Sequence, residues 1–159
     1  TAVKRVSLSE DYLGDHFPCY PIMPQSLVIE GIAQTGGLLA FENCGFAEKV
    51  ILAKIPRAEF YFGALPGALL TYTATLESSQ PNGSVVSATS HADGRLQAEL
   101  EIMYAYLDDA YEGAVGFDRG VFLEMMHTLG AFEVGRASDG GPLAEPTADG
   151  NGRRISPLR

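Results

Sequence analysis

A long apolar segment at residues 25–43 constrains the fold of this chain more than any other feature. Pro24 stands at its start, and Asn43 and Gly45 stand at its end, which is the pattern of a helix and its termini. Its apolar side chains fall on every face of that helix: Leu27, Val28, Ile29, Ile32, Ala33, Leu38, Leu39, Ala40 and Phe41. Because a helix that is apolar all round is a buried helix, we expect all of its faces to be covered.

The residues that follow show strand patterns. A strand interrupted by Pro56 is predicted at 50–55 and 58–62, and three more are predicted at 69–76, 85–92 and 96–107. Asn82-Gly83 and Asp93-Gly94 are hairpin signals between the last three strands. A short strand at 2–8 and a Pro-rich loop at 9–24 precede the helix.

This order of elements predicts an α+β fold in which an antiparallel sheet wraps around one long central helix. The inner face of the sheet covers only part of an apolar helix, so a further surface must cover the remainder. A second copy of the chain is the simplest cover, and we therefore expect a homodimer.

The composition changes near residue 110, and we divide the chain there. Residues 1–110 are predicted to form the folded domain, and residues 111–159 a C-terminal extension. Val121, Met125 and Leu129 recur at helical spacing and indicate a short helix at about 118–134. From Gly135 onwards large apolar residues are few, which predicts a flexible tail.

Charge narrows the choice of partners. The chain has 11 Lys and Arg against 20 Asp and Glu, a net charge of −9, which disfavours nucleic acid and anionic membrane surfaces. No apolar run is long enough to span a membrane, and the first residues do not read as a secretory signal. Two cysteines do not make a disulfide framework, so a cytoplasmic location is expected.

Two titratable residues are candidates for catalysis. His16 lies in the Pro-rich loop, and histidine titrates near neutrality and is a common general base. Glu30 lies inside the predicted buried helix, where burial would raise the pKa of its carboxyl group and let it act as an acid. Such a pair suits the addition or elimination of water. The three histidines show no metal-ligand spacing.

The segment that contains both residues resembles a known active-site motif. This chain has D-H-F-P-C-Y-P-I-M-P-Q-S-L-V-I-E-G-I-A-Q, and the motif is approximately G-H-F-P-G-x-P-x-M-P-G-V-L-x-x-E-x-x-A-Q. That motif belongs to the hotdog-fold 3-hydroxyacyl-[acyl-carrier-protein] dehydratases of bacterial fatty-acid synthesis. The spacing of fourteen residues between His16 and Glu30 is the same in both. The resemblance covers roughly residues 1–107.

The resemblance implies a dimeric hotdog fold and a dehydratase that needs no cofactor. His16 would remove the proton next to the thioester carbonyl, and Glu30 of the neighbouring subunit would protonate the departing hydroxyl. The backbone N–H of Gln25 would hold the thioester oxygen, and Gln34 would orient Glu30. The substrate would be a thioester of an acyl carrier protein or of coenzyme A. Assembly beyond the dimer, such as a trimer of dimers, is left open.

Some positions depart from the motif and keep other functions open. Cys19 and Gln25 stand where the family has glycine, and we expect Cys19 and Ile22 to contact the substrate. A thioesterase would use Glu30 as the base for water and leave His16 idle. A binding module would keep the fold without turnover. A Cys19–His16 nucleophile pair is disfavoured, because no third orienting group is evident.

Overall fold

The computed structural model describes residues 1–107, 118–137, 140–143 and 145–146. The boundary predicted at residue 110 and most of the predicted flexible tail lie outside these residues. Among the described helices, none combines the length and the hydropathy that a membrane span requires.

Five antiparallel strands form one sheet in the order β1-β3-β4-β5-β2. They span Ala2–Arg5 (β1), Lys49–Phe60 (β2), Leu69–Gln80 (β3), Gly83–Ala92 (β4) and Arg95–Leu107 (β5). The two predicted hairpin turns join β3 to β4 and β4 to β5. At the second turn Asp93 and Gly94 have φ of 49° and 83°, a left-handed conformation that Asp-Gly adopts readily.

The two strand segments predicted on either side of Pro56 form one long strand, β2. It continues through Pro56 and pairs with β5, with register shifts between Leu52 and Lys54 and between Lys54 and Arg57. Proline cannot donate to a ladder, and it is tolerated here because β2 lies at the edge of the sheet. At the other edge, β1 ends at Arg5, before the predicted end at Leu8.

The central helix, α2, spans Gln25–Asn43 as predicted. Pro24 caps it rather than forming its first residue, with φ −53° and ψ 136°. Its buried residues are Val28, Ile32, Thr35, Gly36 and Ala40. Ile32 has no exposed surface and lies in the main core with side chains of the sheet. A short helix, α1, at Tyr12–Asp15 lies within the predicted loop.

The opposite face of α2 is exposed in the single protomer, as expected for a helix that the sheet covers only in part. Leu27, Glu30, Gln34 and Leu38 form an exposed stripe along it. The sheet is a single layer and covers one face of the helix only. Glu30 is therefore exposed within its own protomer. The sequence pattern had indicated a buried carboxyl group.

Two helices lie in the C-terminal extension, α3 at Arg119–Thr128 and α4 at Ala131–Val134. They carry a second, smaller core that consists of Phe46, Leu123, Met126 and Phe132. Gly130, with φ of 68°, separates the two helices. Since Phe46 follows α2, this second core joins the extension to the C-terminal end of the central helix.

Candidate active site

The loop that carries His16 is held by backbone hydrogen bonds. The N–H of His16 donates to the Tyr12 carbonyl at 3.0 Å, and the N–H of Ile22 donates to the His16 carbonyl at 3.3 Å. The next residue, Met23, donates to the Ala64 carbonyl at 2.8 Å and ties the loop to the segment after β2. The loop is thus fixed at both ends, and His16 has a defined position at the start of α2.

The His16 ring is half-buried and stacks on Phe17, with ring centroids 4.4 Å apart and planes at 28°. The His16–Phe17 peptide bond is cis. The Nδ1 atom of the His16 ring is buried and has no hydrogen-bond partner among the described residues. Because buried polar atoms are normally satisfied, this nitrogen is a candidate for an interaction with a group from outside the protomer.

His16 opens onto a cavity of about 560 Å³, which we call the His16 cavity. Its other walls are Phe17, Ile22, Pro24, Gln25, Ser26, Phe60, Tyr61, Phe62 and Gly63. Gln25 and Ser26 begin α2, so their backbone N–H groups have no acceptor within the helix. These donors and the helix dipole favour a negatively charged or polarised oxygen at this end of the cavity.

Residues at the end of β2 were missed as site residues. Phe60, Tyr61, Phe62 and Gly63 form the wall opposite the start of α2. In the sequence these residues form the run F-Y-F-G at the end of a predicted strand. The run predicts the strand end, but it does not indicate that these residues line a cavity. A Cβ at Gly63 would lie 3.3 Å from Ile22 Cγ2, so this glycine allows Ile22 to pack closely against the strand end.

Glu30 is held by its neighbour on the exposed stripe of α2. Gln34 Nε2 donates to Glu30 Oε1 at 2.7 Å, across one helical turn. Glu30 and Gln34 line two cavities, of about 420 Å³ beside Tyr72 and about 330 Å³ beside Tyr104. The walls of both cavities are largely apolar, so the fixed carboxyl group lies at the edge of apolar space.

Tyr104 lies beneath this carboxyl group. Its hydroxyl donates to the Ala33 carbonyl at 2.7 Å, and it is nearly fully buried. Burial, and then the nearby Glu30 carboxylate, raise the pKa of Tyr104. Tyr104 therefore stays neutral near neutral pH and acts as a fixed donor under the helix.

The structure separates the two predicted catalytic residues within one protomer. His16, Ile22 and Gln25 share the His16 cavity, whereas Glu30 and Gln34 line the two other cavities. The exposed Cys19 lines none of these three cavities. In one protomer the two predicted catalytic residues therefore line different cavities.

A sheet of five antiparallel strands wrapped on one long helix is the hotdog class of α+β fold, as predicted. Solved structures agree. An acyl-CoA hydrolase from Staphylococcus aureus aligns with a TM-score of 0.55 at 16% identity, over 68% of this chain and 65% of its own. A hexameric thioesterase from Yersinia pestis aligns with a TM-score of 0.58 at 9% identity, over 69% and 87%. At these identities they show the fold alone.

The sequence comparisons identify the family. The FabA-like domain matches residues 1–105, and the chain belongs to this family. The 3-hydroxyacyl-[acyl-carrier-protein] dehydratase FabZ of Streptococcus pneumoniae (strain Hungary19A-6) is 36% identical over 107 residues, which are 65% of this chain and 75% of that protein. FabZ of Streptococcus pyogenes serotype M1 is 36% identical over 107 residues, 65% of this chain and 76% of that protein.

Proposed function

We propose that this chain dehydrates 3-hydroxyacyl thioesters to trans-2-enoyl thioesters in fatty-acid synthesis. Membership of the FabA-like family and the similarity to FabZ dehydratases support this activity. The observation that carries the proposal is the pair of half-sites: an imidazole beside a helix N-terminus and a carboxyl group fixed by Gln34. Each half-site supplies one of the two proton transfers that dehydration requires.

The active enzyme in this proposal is a homodimer. Two protomers related by a two-fold axis would bring His16 of one copy to Glu30 of the other, and they would do so twice. The exposed stripe of Leu27, Glu30, Gln34 and Leu38 would then be covered by the second copy. This cover would also remove water from the Glu30 carboxyl group, which its own protomer does not do.

The proposed reaction is a balanced elimination. Neutral His16 accepts the proton from C2 of the acyl chain, and the electron pair of that C–H bond forms the C2–C3 double bond. The C3–O bond breaks, and protonated Glu30 donates its proton to the departing hydroxyl, which leaves as water. The backbone N–H of Gln25 donates to the thioester oxygen, where negative charge develops as the C2 proton leaves.

The acyl group can be carried as a thioester of a carrier protein or of coenzyme A. The basic side chains of the sheet bear on this choice. The chain is acidic, with a net charge of −9, so an acidic carrier protein would need a local basic surface. Arg57 is already paired with Glu59 at 2.9 Å, and Lys4 is paired with Glu10. We therefore propose a thioester of an acyl carrier protein or of coenzyme A, and the assay should include both.

The assay incubates the full chain with a 3-hydroxyacyl thioester and measures both enoyl product and free thiol. We expect enoyl thioester from the wild type and none above background from His16→Ala. Free thiol without enoyl product would instead make the chain a thioesterase. Saturable binding without either product would make it a binding module, and both of these results would reject the dehydratase.

A thioesterase is the second candidate, because the solved structures with this fold include an acyl-CoA hydrolase and a thioesterase. In that function Glu30 would act as the base for water, and His16 would have no role in the chemistry. The position of His16 beside the helix N-terminus gives it a role in dehydration, which is why dehydration is favoured.

Gln34→Ala is expected to lower kcat about tenfold and to leave KM nearly unchanged. Without the hydrogen bond from Gln34, the Glu30 carboxyl group is oriented towards the departing hydroxyl for a smaller fraction of the time. Steady-state kinetics with one 3-hydroxyacyl thioester measures the two constants separately. Gln80→Ala, at the end of β3, is the matched control and should change neither. A rise in KM at constant kcat would show that Gln34 binds substrate and does not position Glu30.

A further inference from the structure

The C-terminal extension contributes a wall to one of the cavities beside Glu30. This cavity of about 330 Å³, which we call the Phe122 cavity, lies between α2 and β2. Its α2 wall consists of Glu30, Ala33, Gln34, Gly37, Leu38 and Phe41. Among the residues that the structure describes, Phe122 of α3 is the one wall residue that comes from beyond residue 107. The extension therefore reaches the same space as the candidate catalytic carboxyl group.

The Phe122 cavity runs along the helix away from Glu30. Glu30 and Phe41 are eleven residues apart on α2, which corresponds to about 16 Å along the helix axis. Between them, Gly37 has no side chain, and a Cβ at this position would already lie 3.7 Å from Tyr104 Cε1. Gly37 therefore adds no side chain to this wall, and the cavity passes over the surface of α2 at this position.

The far end of this cavity is closed by two aromatic rings. Phe41 and Phe122 stack with ring centroids 4.4 Å apart and planes at 27°. Phe122 is half-buried, so part of its ring remains available to the cavity. A stacked pair of rings is a rigid stop, because aromatic side chains have few rotamers and this pair is packed on one face.

α3 is anchored at its start, which fixes the position of Phe122. The Asp118 side chain caps the helix by accepting from the Val121 N–H at 3.1 Å. Arg119 Nε donates to the Phe46 carbonyl at 2.5 Å, and Leu123 is buried beside Phe46 in the second core. Phe122 lies between these anchors, which hold its backbone beside Phe41.

We propose that Phe122 limits the length of the acyl chain that this enzyme accepts. The inference rests on the proposed function, with the acyl chain extending from the reacting carbons at Glu30 towards Phe41. Chains that end before the stacked rings fit in the cavity, and longer chains meet Phe122. The C-terminal extension is thereby a specificity element for the thioester substrate.

Phe122→Ala is the test, with Val121→Ala as the matched control on the exposed side of α3, where Val121 is 64% exposed. For each protein the ratio of kcat/KM for 3-hydroxyoctadecanoyl to 3-hydroxybutanoyl thioester is measured, because only the longer chain exceeds the length of about 16 Å between Glu30 and Phe41. We expect this ratio to rise about tenfold or more in Phe122→Ala, the discrimination typical of a few apolar contacts. Val121→Ala should keep the wild-type ratio.

The ratio of the two kcat/KM values does not depend on the fraction of enzyme that is folded. Partial unfolding of the Phe122→Ala variant therefore leaves this ratio unchanged. Phe122→Leu, a milder change, should raise the ratio by a smaller factor in the same direction. An unchanged ratio in both variants of an active enzyme would overturn the inference and leave the proposed function intact. A wild type that dehydrates neither substrate would instead overturn the proposed function.

Discussion

Mixing the His16→Ala and Glu30→Ala variants is expected to restore about a quarter of wild-type turnover, because a random mixture contains one-half mixed dimers with one intact site in two. Each variant alone should lose roughly 10²-fold or more, as the removal of a positioned base or acid does. The two residues line separate cavities of one protomer, and in the proposed mechanism a second chain completes each site.

The experiment mixes the two purified variants, exchanges subunits under mild denaturant and assays dehydration before and after. Sedimentation under the same conditions should report a dimer. Activity that stays at the level of the separate variants, in a mixture shown to contain mixed dimers, would place both residues of a working site in one chain. Near-normal rates in both single variants would reject the acid–base assignment.

Leu70→Ala is expected to lower the free energy of unfolding by about 3 kcal/mol, the usual cost when a fully buried leucine leaves a cavity. Leu70 lies in β3 with 0% of its surface exposed, in the main core beneath α2. The surrounding side chains belong to strands that are fixed on both sides by hydrogen bonding, so the site cannot collapse to fill the space.

Leu8→Ala is the matched control. It removes the same side-chain atoms as Leu70→Ala, but from a residue that is 75% exposed. It should cost less than about 0.5 kcal/mol. Chemical denaturation at one fixed protein concentration measures both, since assembly makes apparent stability depend on concentration. Equal losses for the two variants would show that the core does not lie between β3 and the helix.

Local chemistry made most of the fold predictable. Asn82-Gly83 and Asp93-Gly94 set two hairpins, and the apolar run after Pro24 gave the bounds of α2. One long strand across Pro56 was also predictable, but the position of β2 at the edge of the sheet, which allows the strand to continue through a proline, was not. Topology decides that, and a single sequence does not contain it directly.

The site was predictable where one motif carries it and not where distant segments meet. His16, Gln25, Glu30 and Gln34 lie within 19 consecutive residues, so their spacing is visible in the sequence. The burial of Glu30 was misjudged, because a helix that is apolar all round can be covered partly by another chain. Tyr104 and Phe122 reach the Glu30 side of α2 from distant segments, and only the folded chain shows this.

The position of β2 at the edge of the sheet also bears on aggregation at high protein concentration. An edge strand of 12 residues is a template for open-ended association, which ends in precipitates or fibrils. Pro56 has no N–H to offer an incoming strand, and the register shifts beside it bend the second half of β2. Charged Lys54, Arg57 and Glu59 surround it. We therefore expect these features to oppose pairing with another strand over half of the edge.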